Sequence, residues 1–428
     1  MEQPNHRIHS LFVLLLLVIL TSCQPPPPDI LILHNVSIID GLGNPPLSNM
    51  DVIVQGDSIL DIRDADNAEV PGSKILHLTG KHVLPGLIDA HVHLATDPKG
   101  QDRRRFALRR LAFLLRHGVT GVRDMAGDAR ELKQLQELSR TGKIQSPDIF
   151  YASLMAGPKF FKDPRTRSSS RGYDAGSAPW MRAITDTTDL PAAITAAKET
   201  GASAIKIYAD LPVDLTRKIT EQAHRQHLAV WSHATIFPTL PSEAIEAGVD
   251  VLSHSTLLAW ELAERLPESS TGRYSDLPID MASETLIKLL QNMADNHIYL
   301  DATLSTFRRD RFAPSVYQNG AKITARAYEM GVPICVGTDV NFSAKGADHA
   351  PIIDEMQALA NDAGMPTLEV IKAATSGNAA MLGMGEIVGS IVKGRRANLL
   401  VVDTDPLTDL MHLTEIVVVI KEGRMVRR

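Results

Sequence analysis

An alternation of short apolar runs with amphipathic helical segments, from residue 87 to residue 382, most constrains the fold. Strands that alternate with helices indicate a parallel α/β core. The stretch is roughly 300 residues long, which suits a (β/α)8 barrel of about 250 residues with insertions. The eight predicted strands lie in residues 85–94, 119–124, 148–152, 204–208, 229–233, 250–254, 299–303 and 334–339.

Both flanks of this stretch have a different pattern. Residues 29–84 and 385–428 contain short apolar runs interrupted by glycine, proline and asparagine, which is typical of β-structure. We therefore expect a barrel at residues 85–384 with β-rich segments before and after it. With 44% hydrophobic residues in 428, the chain can bury one large core and a smaller satellite.

The first barrel strand carries two histidines that are separated by one valine. Because side chains alternate faces along a strand, Asp89, His91 and His93 share one face. Two imidazoles on one face can bind the same metal ion. The sequence therefore predicts the start of a metal site here.

Barrel enzymes place their chemistry where strands end, so the polar residue that finishes each predicted run is informative. A single histidine or aspartate at such a place is more often structural than catalytic. The combined set is what favours a metal centre, because imidazole nitrogens and carboxylate oxygens suit Zn²⁺ and similar divalent ions. The set consists of His93, Asp124, Lys206, His233, His254 and Asp339.

The PGLIDAHVH run and this order of strand-end residues resemble the metal-dependent amidohydrolase superfamily, in particular its imidazolonepropionase and Xaa-Pro dipeptidase-like members. The resemblance implies that both flanking segments meet in one small β-sandwich beside the barrel. It also implies a binuclear site, in which His91, His93 and Asp339 hold one ion and His233 and His254 hold the other.

By the same resemblance, Lys206 bridges the two ions as a carbamate formed with CO₂. Its burial would favour the neutral amine that this modification requires. A metal-bound hydroxide would then attack a small amide, peptide or cyclic amide, and Asp339 would transfer the proton to the leaving nitrogen. The alternatives are a mononuclear site with unmodified Lys206, as in related deaminases and imidazolonepropionases, a lactone or phosphoester hydrolase, and a non-catalytic binding lipoprotein.

Residues that would contact the substrate are less well defined. Tyr208 shares a face with Lys206 and could hydrogen-bond a substrate carbonyl or carboxylate, although a packing role suits it equally. His349 resembles the histidine of a dipeptidase motif, but the sequence departs from that motif at Ala350-Pro351. The basic segment 159–172 after strand three could meet an anionic group, although a solvated loop is the plainer interpretation. The Arg123-Asp124 pair resembles an Arg-Asp pair of that family, but we favour a structural role for it.

The N-terminus predicts export. Residues 11–20 form an apolar run of ten that suits a signal peptide core of about 7–15 residues and is too short to span a membrane. The motif ending at Cys23 resembles a bacterial lipobox, which implies a signal peptide at residues 1–22 and a lipid anchor on Cys23. The proline run in residues 23–28 favours an extended tether. We expect a periplasm-facing protein that contacts the membrane through this anchor alone.

The net charge of the chain excludes some classes of partner but does not identify one. The formal net charge is -6, and no basic stripe argues for nucleic acid. The second cysteine, Cys335, lies in an apolar run and is expected to be a packing residue. A homo-oligomer is common in the resembled family, but no interface can be identified from the sequence.

Overall fold

The computed structural model describes residues 30–65, 72–96, 103–267, 272–274, 276–340 and 343–427. The predicted signal peptide, Cys23 and the proline tether lie outside these ranges and stay predictions. Within the described ranges, no helix combines the length and the apolar character that crossing a membrane requires.

The secondary structure alternates as the sequence pattern predicts. The strands are β1 Ile30–Ile38, β2 Leu47–Gln55, β3 Ser58–Asp64, β4 Lys74–His77, β5 His82–Pro85, β6 Leu87–Val92, β7 Val119–Asp124, β8 Asp148–Ala156, β9 Ser177–Ala178, β10 Met181–Ala183, β11 Ala204–Ile207, β12 Ala229–His233, β13 Val251–Ser253, β14 Tyr299–Asp301, β15 Ile334–Cys335, β16 Leu399–Val402, β17 Ile416–Lys421 and β18 Arg424–Met425. The α-helices are α1 Arg103–Arg116, α2 Ala129–Arg140, α3 Pro164–Ser169, α4 Leu190–Glu199, α5 Val213–Arg225, α6 Pro241–Glu246, α7 Glu284–Asp295, α8 Pro314–Glu329, α9 Ile352–Asn361, α10 Thr367–Lys372 and α11 Asn378–Met381.

Five single-turn or short helical segments complete the description. Four of them are 3₁₀ helices and one is a π-helical turn. The 3₁₀ helices are Pro158–Lys162, Ser255–Leu262, Leu304–Arg308 and Leu410–Thr414, and the π turn is Ala373–Gly377.

The two ends of the chain meet in one sheet. Its strand order is β18-β17-β16-β5-β1-β2-β3, with β4 paired to β1. The join is the antiparallel pair of β5 and β16, in which Leu84 lies opposite Leu400. Apolar side chains of both terminal segments, such as Val36, Val52 and Val401, form one buried cluster. The expectation of a small β-sandwich built from both termini is therefore confirmed.

The second sheet is a parallel barrel. Neighbouring strands run in the order β6, β7, β8, β11, β12, β13, β14 and β15, while β10 also pairs with β8 and β9 pairs with β10. The barrel closes through hydrogen bonds from Ala90 N to Val336 O and from Asp339 N to His91 O, at 2.9 and 2.8 Å. The predicted (β/α)8 fold is confirmed.

The Asn378 side chain holds this closure together. Its Nδ2 donates to Ile88 O at 2.6 Å and to Val336 O at 2.9 Å, while its Oδ1 accepts from Val336 N at 3.2 Å. The residue is fully buried, so these bonds are shielded from water. One amide thus connects the first and last barrel strands directly below their polar ends.

The predicted strands differ from the observed ones mainly at their last residues. The sequence places His254, Thr303 and Asp339 inside strands, whereas each lies past the end of its strand with a positive φ of 74°, 51° and 47°. A left-handed backbone at residues other than glycine is uncommon and concentrates at functional sites. The strand ends therefore turn where the polar side chains are needed.

Candidate metal centre

The deepest part of the site is a histidine held by a carboxylate. His91 and Asp301 are both buried, and His91 Nδ1 lies 2.7 Å from Asp301 Oδ2. Arg123 Nη2 donates to the same oxygen at 2.8 Å, and its Nε donates to Ala90 O. Because Nδ1 is occupied, the opposite nitrogen of His91, Nε2, is left for other ligands.

Asp339 approaches both histidines of the first strand. Its Oδ1 lies 3.1 Å from His93 Nε2 and 3.7 Å from His91 Nε2. The approach depends on Gly337, because a Cβ there would lie 2.4 Å from Asp301 Oδ1 and 2.7 Å from His91 Cβ. Glycine thus lets the segment that follows β15 pass directly beside β6.

His254 and His233 complete the ring of imidazoles. The His254 ring centroid lies 5.1 Å from that of His91 and 4.8 Å from that of His233. His254 Nδ1 lies 2.8 Å from Thr303 Oγ1 and 4.0 Å from Asp339 Oδ2. Ligand atoms of His91, His254 and Asp339 lie within 4.8 Å of one another, a spacing that could hold one ion.

Lys206 lies at the end of β11 and is completely buried. Its Nζ donates to Ser253 Oγ at 3.1 Å, and Ser253 Oγ in turn donates to Asp301 Oδ2 at 3.1 Å. The lysine thereby joins the network that holds His91. The sequence argument placed Lys206 on the interior face of the strand, and its hydrogen bond to Ser253 in this network agrees with that.

Burial decides most of the protonation states. Desolvation lowers the pKa of His91, and it lowers those of His233 and His254 well below the ordinary value. The same effect, together with the nearby Arg123 charge, lowers the pKa of Lys206 to about 7. Burial opposes ionisation of Asp339, but its histidine neighbours hold the pKa of that carboxyl well below its usual range. His91, His233 and His254 therefore offer neutral imidazoles, and Asp339 offers an ionised carboxylate.

The Arg123-Asp124 pair is structural, as favoured above. Arg123 packs its guanidinium 4.6 Å from the centre of the Trp231 ring and pairs with Asp301. Asp124 Oδ2 accepts from Leu94 N at 2.6 Å, which fixes the backbone beyond the second histidine. The two side chains thus hold Asp301 and the backbone after His93 in place.

The two predicted substrate contacts have different surroundings. The ring centroid of Tyr208 lies 4.0 Å from that of His233 and 4.4 Å from that of Phe160, which belongs to the basic segment. His349 Nε2 instead lies 3.0 Å from Asp354 Oδ1 at the start of α9. Tyr208 therefore borders the ring of histidines, whereas a substrate contact by His349 stays a prediction.

Two residues of the site escaped the sequence argument. Asp301 lies inside the predicted strand 299–303 and not at its predicted end, where catalytic side chains are expected. Arg273 lies on an irregular turn, where no periodicity marks it, and its guanidinium carbon is 5.6 Å from the ring centres of both Tyr208 and Tyr274. The alternation of side chains along a strand could have identified Asp301, whereas Arg273 could be identified only from the folded structure.

The donor set fits divalent metal ions. Within the described parts of the chain, His93 Nδ1 and His233 Nδ1 are buried without a hydrogen-bond partner. His91 and His254 each have Nδ1 engaged by another side chain, which orients the ring as metal-binding histidines require. His93 and Asp339, with 18% and 21% of their side chains exposed, leave the site open on one side. Ligands on the closed side and access on the other are typical of catalytic metal sites.

Comparison with known proteins supports the same interpretation. The model of the amidohydrolase family matches residues 82–426. Ochratoxinase of Aspergillus niger is 24% identical over 442 aligned residues, which cover 90% of this chain and 84% of the relative. A 5-methylthioadenosine/S-adenosylhomocysteine deaminase of Syntrophobacter fumaroxidans is 24% identical over 364 residues, covering 78% of this chain and 75% of the relative.

Solved structures share the fold over nearly the whole chain. A Xaa-Pro dipeptidase structure with methionine in its active site superposes with a TM-score of 0.74 at 23% identity. The alignment covers 94% of this chain and all of the dipeptidase chain. At this identity the likeness establishes the architecture alone.

Proposed function

The chain belongs to the amidohydrolase family, and from that premise we propose that it hydrolyses an amide, peptide or cyclic-amide C–N bond of a small substrate. We further propose that it uses two divalent metal ions, most simply Zn²⁺, bridged by carboxylated Lys206. His91, His93 and Asp339 would hold one ion, and His233 and His254 the other. Bound ions would supply Lewis acidity and lower the pKa of a coordinated water to about 7.

One observation carries the proposal: the Lys206 side chain is completely buried at the end of β11, where no water can solvate a charged amine. A protonated lysine in this place would repel two dications, whereas a carbamate adds a carboxylate-like ligand. The lowered pKa of Lys206, about 7, makes the neutral amine available near neutral pH. Burial and chemistry thus both support the proposed modification of this side chain.

The remaining residues support the hydrolysis. The oxygen of water is added to the acyl carbon, the C–N bond breaks, and a proton must reach the leaving nitrogen. Asp339 is the ionised carboxylate at the open edge of the site, with Oδ1 at 3.1 Å from His93 Nε2. We assign it the transfer of this proton, which is general acid–base work. Asp301 binds Nδ1 of His91 and so fixes the ring. Burial keeps the imidazole neutral, because desolvation lowers its pKa although the Asp301 charge opposes this shift.

A second candidate is a mononuclear enzyme with unmodified Lys206. The observation that favours it is the hydrogen bond from Lys206 to Ser253, because the free amine already has a partner. The compact trio of His91, His254 and Asp339 would suffice for one ion. Here Lys206 would serve as a structural residue or contact the substrate.

Metal analysis distinguishes the two candidates. We expect about two ions per chain in the wild type and one or none in Lys206→Ala, together with a loss of amide hydrolysis. Short-chain acids such as propionate, which can replace a missing carbamate, should restore part of the metal content of the variant. One ion in both proteins, unchanged by the substitution, would contradict the bridged site and favour the mononuclear enzyme.

A further inference from the structure

A guanidinium lies at the rim of the site without a role in holding the histidines. Arg273 occupies the turn between the 3₁₀ helix Ser255–Leu262 and α7, and its guanidinium carbon is 5.6 Å from the ring centres of Tyr208 and Tyr274. The Tyr208 ring contacts His233 with centroids 4.0 Å apart, and the Tyr274 ring lies 6.1 Å from His254. Arg273 is thus held between two aromatic rings that each adjoin a histidine of the centre.

Part of this guanidinium is buried without an acceptor. Among the residues that the structure describes, none accepts a hydrogen bond from Arg273 Nη1, although this nitrogen is shielded from solvent. A buried N–H group of a charged side chain that lacks an acceptor costs free energy. Such a group is expected where a ligand supplies the acceptor.

The carboxylate of Asp163 is not the missing acceptor of Arg273 Nη1, because Arg165 binds it. Asp163 Oδ1 accepts from the backbone N and the Nε of Arg165, and its Oδ2 accepts from Arg165 Nη2 at 2.6 Å. This pair also begins α3, where Asp163 is the N-cap residue. The Arg165 guanidinium, whose pKa is raised mainly by the nearby Tyr208 phenol and by Asp163, stays charged. A second positive charge therefore lies beside Tyr208.

The backbone of Arg273 is fixed independently of its side chain. Trp260 Nε1 donates to Arg273 O at 2.7 Å, and the Trp260 ring packs edge-on against Phe237. The turn can thus keep its position when the side chain is replaced. This makes Arg273 a suitable residue for substitution.

We propose that Arg273 binds a carboxylate of the substrate, so that the enzyme acts on amides with a free carboxylate near the scissile C–N bond. N-acyl amino acids and short peptides with a free C-terminus belong to this class. The planar guanidinium matches a carboxylate with two parallel hydrogen bonds, which gives affinity and orientation together. The inference rests on the proposed hydrolysis and adds the identity of the group that positions the substrate.

The position of Arg273 explains why this group should control specificity. The Tyr208 ring contacts both the guanidinium, at 5.6 Å, and His233, at 4.0 Å, so a carboxylate bound to Arg273 would lie beside the histidines and leave them free for the amide. A neutral amide of the same size would leave the Nη1 group of Arg273 unpaired. Sites built around such a polar group discriminate strongly against ligands that lack its partner.

The test uses the full metal-loaded chain and matched substrates: N-acetyl and N-benzoyl amino acids, a few dipeptides, and their C-terminal primary amides. We expect the wild type to prefer the acids, and Arg273→Met to lower kcat/KM for the acids roughly 10- to 100-fold, mainly through KM. The amides should change little. Arg273→Lys keeps the positive charge but cannot form two parallel hydrogen bonds. Its kcat/KM for the acids should therefore lie between those of the wild type and Arg273→Met. Arg167→Met removes an exposed positive charge from the nearby basic segment and should behave as the wild type.

A binding measurement separates this inference from the proposed reaction. Thermal stabilisation of the metal-loaded protein by the acids, and less by the amides, should be lost in Arg273→Met and kept in Arg167→Met. Equal binding of acids and amides by the wild type, or equal losses in both arginine variants, would overturn the role of Arg273. Absence of any amide hydrolysis by the wild type, with acid-selective binding intact, would instead refute the proposed reaction.

Discussion

A histidine–aspartate contact of nearly the same length occurs in two regions of the molecule. In the barrel, His91 Nδ1 lies 2.7 Å from Asp301 Oδ2. In the sandwich, His34 Nδ1 lies 2.8 Å from Asp51 Oδ1, and Asp51 is only 2% exposed. The contact is nearly identical, but the surroundings of the two pairs are not.

The sandwich pair stabilises a backbone irregularity. Asp51 Oδ1 also accepts from Asn35 N at 3.0 Å. Asn35 has a positive φ of 56°, and the register of β1 with β2 shifts around it, between Leu33 and Val36. The barrel pair instead belongs to a network with Arg123, Ser253 and Lys206, and it leaves His91 Nε2 facing Asp339. A histidine–aspartate contact therefore indicates a metal site only when the second ring nitrogen meets other ligands.

The largest expected effect follows from Asp301→Asn. The substitution leaves buried Arg123 without its counter-charge, which should lower the free energy of unfolding by roughly 3–5 kcal/mol. Loss of the carboxylate behind His91 should also weaken metal binding about 10- to 100-fold. Urea denaturation and metal content after equilibrium dialysis measure the two effects. Wild-type metal affinity in this variant would show that the barrel pair is as purely structural as the sandwich pair.

A buried carboxylate without a histidine sharpens the comparison. Glu355 accepts from Leu304 N at 2.8 Å and from Ser305 N at 2.6 Å, which fixes the segment that follows β14. Burial raises its pKa to about 8, although these hydrogen bonds oppose the shift. Because the folded state then binds the proton more tightly than the unfolded state, the stabilisation is complete below about pH 4.5 and is lost as the pH rises towards 8.

We therefore expect the stability of the wild type relative to Glu355→Gln to fall by about 3 kcal/mol between pH 5 and pH 8. Urea denaturation of both proteins at the two pH values measures this difference. The neutral glutamine serves as the reference because it cannot take up or release a proton at this position. A difference that is the same at both pH values would mean that Glu355 is ionised throughout the range.

The smallest effect is expected for Asp51→Asn in the sandwich. The amide oxygen can still accept from Asn35 N, so the loss should be about 1–2 kcal/mol in the free energy of unfolding. Metal content and turnover should equal those of the wild type. A loss of metal here, similar to that in Asp301→Asn, would imply that both pairs act only through global stability.

Much of the fold followed from local patterns. Apolar runs with polar ends indicated eight parallel strands, and the structure places them in one barrel. Lys206 lies in β11 and Tyr208 directly follows that strand. The family resemblance added the meeting of the two termini. The ends of the strands were predicted less well, because the left-handed turns at His254, Thr303 and Asp339 depend on tertiary contacts and not on propensity.

The sequence by itself determined which residue types end the strands, because strand alternation and barrel geometry send those side chains to a common edge. Only the tertiary structure decided which neighbours support them, such as Asp301 behind His91 and Ser253 beside Lys206. Only the tertiary structure also brought Arg273, on an irregular turn, beside Tyr208. Periodicity records the environment of a residue within its own segment, whereas contacts between residues far apart in the chain arise from packing of the whole barrel.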